Sequence, residues 1–145
     1  MNIEITRLPH SAGLPLPAYA SAGAAGLDLY AAVIEDTIIT PGRTVPIPTG
    51  LAIALPTGYE GQVRPRSGLA RDYNVSLMNS PGTIDSDYRG EIVVLLVSFS
   101  EPFVVRRGDR IAQLVITRYE RIEWKEVERL PPTMRGAGGF GHSGV

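Results

Sequence analysis

Hydrophobic positions in this chain come in short runs. In the segment GLAIAL, Leu51, Ile53 and Leu55 alternate with small residues, the period-two pattern of a strand with one buried face. RIAQLVITRY, Arg110 to Tyr119, alternates in the same way. EIVVLLVSFS, Glu91 to Ser100, is too continuously apolar for a half-exposed strand. It predicts a central strand buried on both faces, or a strand at a subunit interface. No long stripe of helical period appears, and a single turn near Ser67 to Arg71 is the best helix candidate. Turn signals at Pro41-Gly42, Thr49-Gly50, Pro56-Thr57-Gly58, Pro81-Gly82, Glu101-Pro102 and Arg107-Gly108-Asp109 separate the runs. Many short strands at regular spacing predict an all-β sandwich, jelly roll or barrel. Pro131-Pro132 is expected to stop the last strand, and a glycine-rich tail follows.

The chain has 145 residues, which suits one domain, and 43% hydrophobic residues, enough for a core. The expected division is a domain over 1–130 and a flexible C-terminal segment over 131–145. A net charge of -1 points to neither a nucleic acid polymer nor an anionic membrane as partner. Without cysteine, disulfides, thiolate nucleophiles and cysteine-bound zinc are excluded. His10 and His142 are the only histidines and both lie near the ends, so a serine–histidine triad or a multi-histidine metal site is not expected. Any metal should be hard and oxygen-bound, with magnesium held partly by substrate phosphates the best fit. No apolar run reaches the about 20 residues of a membrane span. The amino-terminal MNIEITRLP has an early Glu4 and no signal-like run, so a cytoplasmic location is expected.

Five segments carry candidate chemistry. In AGLDLYA, Asp28 reads first as a turn or strand-edge residue, with a site carboxylate as the alternative. In RPRSGLA, Arg66, Ser67 and Gly68 stand where a strand should give way to a helix. Free N–H groups and two side-chain donors there favour an anion, and a serine N-cap beside a surface arginine is the plainer alternative. NSPGTIDSDYRGE, Asn79 to Glu91, reads as a β-hairpin, in which Asp85 after Ile84 is either a partly shielded general base or part of a solvated acidic loop. Gln113 in RGDRIAQLV fits a polar strand face or a ligand contact. RGAGGFGHSG, Arg135 to Gly144, has five glycines and too little apolar surface to order alone. Phe140 offers a stacking face, Arg135 a fork of donors, and the glycines let backbone N–H groups approach an anion, a set that suits a nucleotide.

Taken together and in this order, the five segments closely resemble the ordered motifs of the trimeric deoxyuridine triphosphatases (dUTPases), over about Gly23 to Gly144. The resemblance implies an all-β jelly-roll (β-clip) subunit with one short helix, assembled as a homotrimer whose active sites draw on several subunits, with the tail closing as a lid. It implies hydrolysis of dUTP to dUMP and pyrophosphate, which lowers dUTP and supplies dUMP for thymidylate synthesis. Asp85 takes the place of the catalytic aspartate that deprotonates a water attacking the α-phosphorus. Mg2+ is the implied cofactor, with Asp28 reaching it through water. Arg66, Ser67, Gly68 and Gln113 match phosphate-contacting positions. Asn79, with backbone of Gly82, Thr83 and Ile84, matches the reader of the uracil edge. Tyr88 matches the residue stacked under deoxyribose that excludes a 2′-hydroxyl, Phe140 the residue covering the base, and Arg135 and Ser143 the γ-phosphate contacts. His142-Ser143 departs from the Ser-Thr of many members.

Two alternatives frame this reading. A dCTP deaminase shares the fold and some motifs, but resembles it with a glutamate on the strand after Tyr88 where this chain has Leu95. A non-catalytic nucleotide-binding module would need a lost catalytic group, and Asp85, Arg66 and Ser67 are all present.

Overall fold

The computed structural model describes residues 1–139, so Phe140, His142 and Ser143 lie outside the described residues. Eleven strands and one α-helix form where the alternating runs place them: β1 (Glu4–Arg7), β2 (Leu27–Tyr30), β3 (Thr37–Ile39), β4 (Thr44–Pro48), β5 (Leu51–Ala54), β6 (Tyr59–Arg64), α1 (Ser67–Tyr73), β7 (Val75–Leu77), β8 (Gly82–Ile84), β9 (Val93–Ser98), β10 (Phe103–Val105) and β11 (Arg110–Arg118). Gly42, Gly50, Gly58 and Gly108 take positive φ at four of the expected turns, a conformation open to glycine without a Cβ penalty. The protein is therefore mostly β with one short helix, as expected.

The strands pair into a four-stranded sheet in the order β2-β11-β6-β8, a three-stranded sheet β4-β9-β7, and the pairs β1-β5 and β3-β10. Pro46 and Pro48 sit in β4, an edge strand, where a missing N–H costs least. Between the sheets, Leu29, Ile39, Ile47, Val94, Leu96 and Val105 are wholly buried, with Leu51, Ile53, Leu55, Val63 and Leu114 beside them. Burying each such side chain contributes about 1.5–3 kcal/mol.

Four local expectations change. First, β9 is central in its sheet, but burial on both faces holds only toward its end: Val94, Leu96 and Val97 are buried, whereas Val93 is 40% exposed and Leu95 half-buried. Second, the alternation of β11 breaks at a bulge between Arg110 and Ala112, which buries both Ile111 and Ala112. Third, residues 79–91 are no self-paired hairpin. β7 and β9 pair with each other, and β8 between them crosses to the other sheet to pair with β6 (Gly61 with Ile84, Val63 with Gly82). Fourth, β11 ends at Arg118, twelve or more residues before Pro131, and no strand follows among the described residues. ERIEWKEV alternates well enough for a strand, yet β6 reaches its last partner at Tyr59 opposite Arg118, so no further backbone in the chain is on offer. Ile122, Trp124, Leu130 and Met134 are exposed there.

Candidate active site

The excursion between β7 and β9 brings six of the expected residues to one place. Asn79, Gly82, Thr83, Ile84, Asp85 and Tyr88 line a cavity of ≈ 260 Å³, together with the apolar side chains of Val63, Leu77, Val93 and Leu95. β8 forms its wall because pairing with β6 fixes that strand's backbone. Gly82 is buried, and a Cβ there would press on the Asn79 amide at 3.1 Å. The Ser80–Pro81 bond between them is cis. Past β8 the chain turns, Tyr88 N–H donating to Asp85 C=O at 3.2 Å. The Tyr88 hydroxyl donates to the Glu91 C=O at 3.0 Å, and its ring fills the space a side chain at Gly90 would need.

Asp85 itself is exposed, which agrees with the solvated-loop reading and not with partial shielding by Ile84. It stands one residue past the end of β8, at the cavity mouth, and Ile84 turns its apolar side chain toward Gly61 instead of over the carboxylate. Any shielding must come from outside this part of the chain.

A second pocket of ≈ 330 Å³ is lined by Asp28, Arg66, Ser67, Gly68, Arg110 and Gln113 with a small-residue rim from Ala20, Ala24, Ala25 and Gly26. Arg66 is the extended residue that precedes α1 (φ -91, ψ 129) and makes no side-chain cap bond, so Ser67 is the first helical residue and not the cap. Arg66 Nε donates to Asp28 Oδ1 at 2.9 Å and Arg110 Nη1 to Asp28 Oδ2 at 3.2 Å. One carboxylate thus holds two guanidinium groups toward the pocket. Gln113 Nε2 donates to Pro65 C=O at 2.9 Å, while its Oε1 occupies the space that a Cβ on Gly26 would need. Gly26 is glycine because Gln113 lies against its backbone. A Cβ on Gly68 would meet nothing. On the outer face of α1, Arg71 donates to Asp72 at 2.6 and 2.9 Å. That bond holds the Asp72 carboxyl below its usual pKa and Arg71 above its own. Both are fully exposed, and such pairs contribute little.

The two pockets lie at opposite edges of the four-stranded sheet, one beside β8 and the other beside β2. Gln113 stands directly opposite Asp28 and Arg64, which therefore share its face. Leu114, Val63 and Gly82, one residue along, point the other way. Arg135, the remaining expected contact within the described residues, is in neither pocket; its Nε donates to Gly138 C=O at 2.8 Å. Sequence reasoning passed over Arg110, although it lies inside a quoted segment three positions before Gln113, and it passed over Glu91 at the edge of the cavity.

Among the described residues no group of three or more His, Cys, Asp or Glu could by itself hold a metal ion. Asp28 is the one carboxylate in the arginine-lined pocket. That donor set fits a cation whose ligands come mainly from a bound polyphosphate and water.

A family model described as dUTPase matches residues 12–144. The deoxyuridine 5'-triphosphate nucleotidohydrolase of Anaplasma marginale (strain St. Maries) is 53% identical over 146 aligned positions, covering 100% of this chain and 99% of that protein. Among solved structures, a mutant dUTPase of Staphylococcus bacteriophage 80alpha with dUpNHpp superposes with a TM-score of 0.83 at 25% identity, covering 99% of each chain. A dUTPase from phage phi11 of S. aureus, described with the coordination of a structural Mg(II) ion, matches in fold with a TM-score of 0.78 at 22% identity, over 91% of this chain and 100% of that one.

Proposed function

We infer the mechanism from one premise: the chain belongs to the dUTPase family and is a dUTP diphosphatase. The observation that carries the inference is the single cavity lined by Asn79, Gly82, Thr83, Ile84, Asp85 and Tyr88. Uracil enters it against the β8 backbone, pairs with the Asn79 amide and with Gly82–Ile84 main-chain groups, and is refused a 5-methyl group by the tight turn of chain around it. Tyr88 lies under deoxyribose and leaves no room for a 2′-hydroxyl. Asp85, at the mouth, takes a proton from water as its oxygen attacks the α-phosphorus. The bond from that phosphorus to the bridging oxygen breaks, giving dUMP and pyrophosphate. A carboxylate in such a role contributes about 10²- to 10⁴-fold.

Leu95 in the cavity lining argues against deamination, since an aliphatic side chain cannot exchange a proton with a cytosine amino group. The intact arginines and Asp85 argue against a merely binding module.

The triphosphate is held by Arg66, Arg110, Ser67 and the backbone at Gly68, with Gln113 and Asp28 fixing their places. Such transfer depends on positioning and on charge neutralisation. When bound, Mg2+ would order the triphosphate and offset its charge, held by phosphate oxygens and reached by Asp28 through water. Because the two pockets lie at opposite edges of one sheet, with β11 and β6 between them, one dUTP does not reach both within a chain. A homotrimer in which one subunit gives the nucleoside cavity and a neighbour the arginine pocket resolves this. It also covers Val93, the exposed end of β9. The segment from Pro131 closes over the site, with Phe140 on the base and Arg135 and Ser143 on the γ-phosphate. The protein works on a free nucleotide in the cytoplasm; no helix of the described residues is long and apolar enough to cross a membrane.

The test is pyrophosphate release in Mg2+ from dUTP, dTTP, dCTP and UTP in parallel. Release from dUTP alone supports the reading of Asn79, Tyr88 and the β8 wall; equal release from dTTP or UTP would overturn it.

A further inference from the structure

The loop from Asp85 to Glu91 carries the general base and the sugar-facing tyrosine, yet few bonds hold it to the rest of the protein. Arg89 bonds only within the loop, to Ser86 and Tyr88 carbonyls at 2.7 and 2.8 Å. Among the described residues, Glu91 is the one member whose side chain bonds to another segment. Its Oε1 accepts from Gly50 N–H at 2.6 Å and from His10 Nε2 at 2.8 Å. The same residue's C=O is the acceptor for the Tyr88 hydroxyl.

His10 is itself held firmly. Arg107 donates to the carbonyls of His10 (2.8 Å), Val33 (3.2 Å) and Ala12 (2.8 Å), and Leu8 N–H donates to Gly50 C=O at 2.8 Å. Buried Ser11 fills the space beside Gly50, where φ is +66. A rigid chain of contacts therefore runs from Arg107 through His10 and Glu91 to the Tyr88 ring.

We propose that His10 is a positioning residue for sugar discrimination: by fixing Glu91, it sets the height of the Tyr88 ring against the 2′ carbon. The inference rests on the placement of Tyr88 under the sugar proposed above. Releasing Glu91 loosens the carbonyl to which Tyr88 is tied, and a ribose hydroxyl is then less strongly refused. The base Asp85, at the other end of the loop, is tied to β8 and is disturbed less.

The experiment compares kcat/KM for dUTP and UTP. His10→Ala should lower the dUTP-to-UTP ratio about tenfold, the worth of one charge-assisted hydrogen bond, while kcat for dUTP changes about twofold or less. His10→Gln, which keeps an N–H donor toward Glu91, should restore much of the ratio. Tyr88→Phe, which removes the bond to Glu91, should lower the ratio by itself, and adding His10→Ala should lower it little further, the signature of one shared path. An unchanged ratio in His10→Ala, with Tyr88→Phe still lowering it, would overturn the role of His10 and leave the Tyr88 placement standing. An unchanged ratio in Tyr88→Ala would overturn both. An equal loss for both nucleotides with a lowered Tm would mean that His10 serves stability alone.

Discussion

The cavity beside β8 and the pocket beside β2 lie at the two edges of one sheet, yet they are built on different physical principles. The first is made of backbone and apolar walls: β8 paired to β6, with Val63, Leu77 and Leu95 alongside. The second is made of long charged side chains tethered by one carboxylate, Arg66 and Arg110 on Asp28. A backbone wall cannot adapt, so it suits the choice between a hydrogen and a methyl group on a base. Tethered guanidinium groups can shift by tenths of an ångström, so they suit charge that redistributes during phosphoryl transfer. On the proposed reading, discrimination and charge handling are separated in space within one chain, and a trimer would unite them.

Substitutions can break this contrast. The largest expected effect is at the cavity mouth: Asp85→Asn should lower kcat about 10³-fold while dUTP still binds, measured by pyrophosphate release and calorimetry. Hydrolysis surviving that change would remove Asp85 as the base. In the arginine pocket, Arg66→Ala should cost about 10²-fold in kcat/KM for dUTP without altering the preference for dUTP over dTTP. A changed base preference would show that the pockets are not separate in function. Asp28→Asn should follow in the same direction with a smaller loss, about tenfold, by releasing both arginines.

The segment past Pro131 sharpens the comparison, because it is expected to touch both halves. Phe140→Ala should weaken kcat/KM about tenfold by lost stacking. Phe140→Trp should keep most activity and report closure by fluorescence over the Trp124 background. A silent tryptophan would count against closure. The smallest effect is at Gly82→Ala. The added methyl meets the Asn79 amide at 3.1 Å and Val63 at 3.5 Å, so KM for dUTP should rise by less than about tenfold with kcat kept.

The local pattern of the chain made much of this legible. Leu51, Ile53 and Leu55 announce a one-sided strand, and they are buried as a set. Arg66, Ser67 and Gly68 announce the change from strand to helix. What could not be read is long-range pairing. β8 takes its partner from Gly61–Val63, far upstream, and no local signal in SPGTI names that partner. The Arg66–Asp28 pair spans 38 positions, and each residue alone has an ordinary surface reading. Whether Asp85 is shielded by Ile84 or solvated is open in the sequence, and alternation, which sends the two side chains opposite ways, decides for solvation. The end of β11 depends on when its neighbour runs out, not on the proline that follows later.

The placement of the two pockets at opposite edges of one sheet has a genetic meaning as well as a chemical one. In a shared site, each chain lends half of its equipment to one neighbour and borrows the other half from the next. Two inactive chains, one lacking Asp85 and the other lacking Arg66, would therefore not be equivalent failures. Co-assembled, some of their joint sites would pair the intact half of each, and activity would reappear from two dead parents.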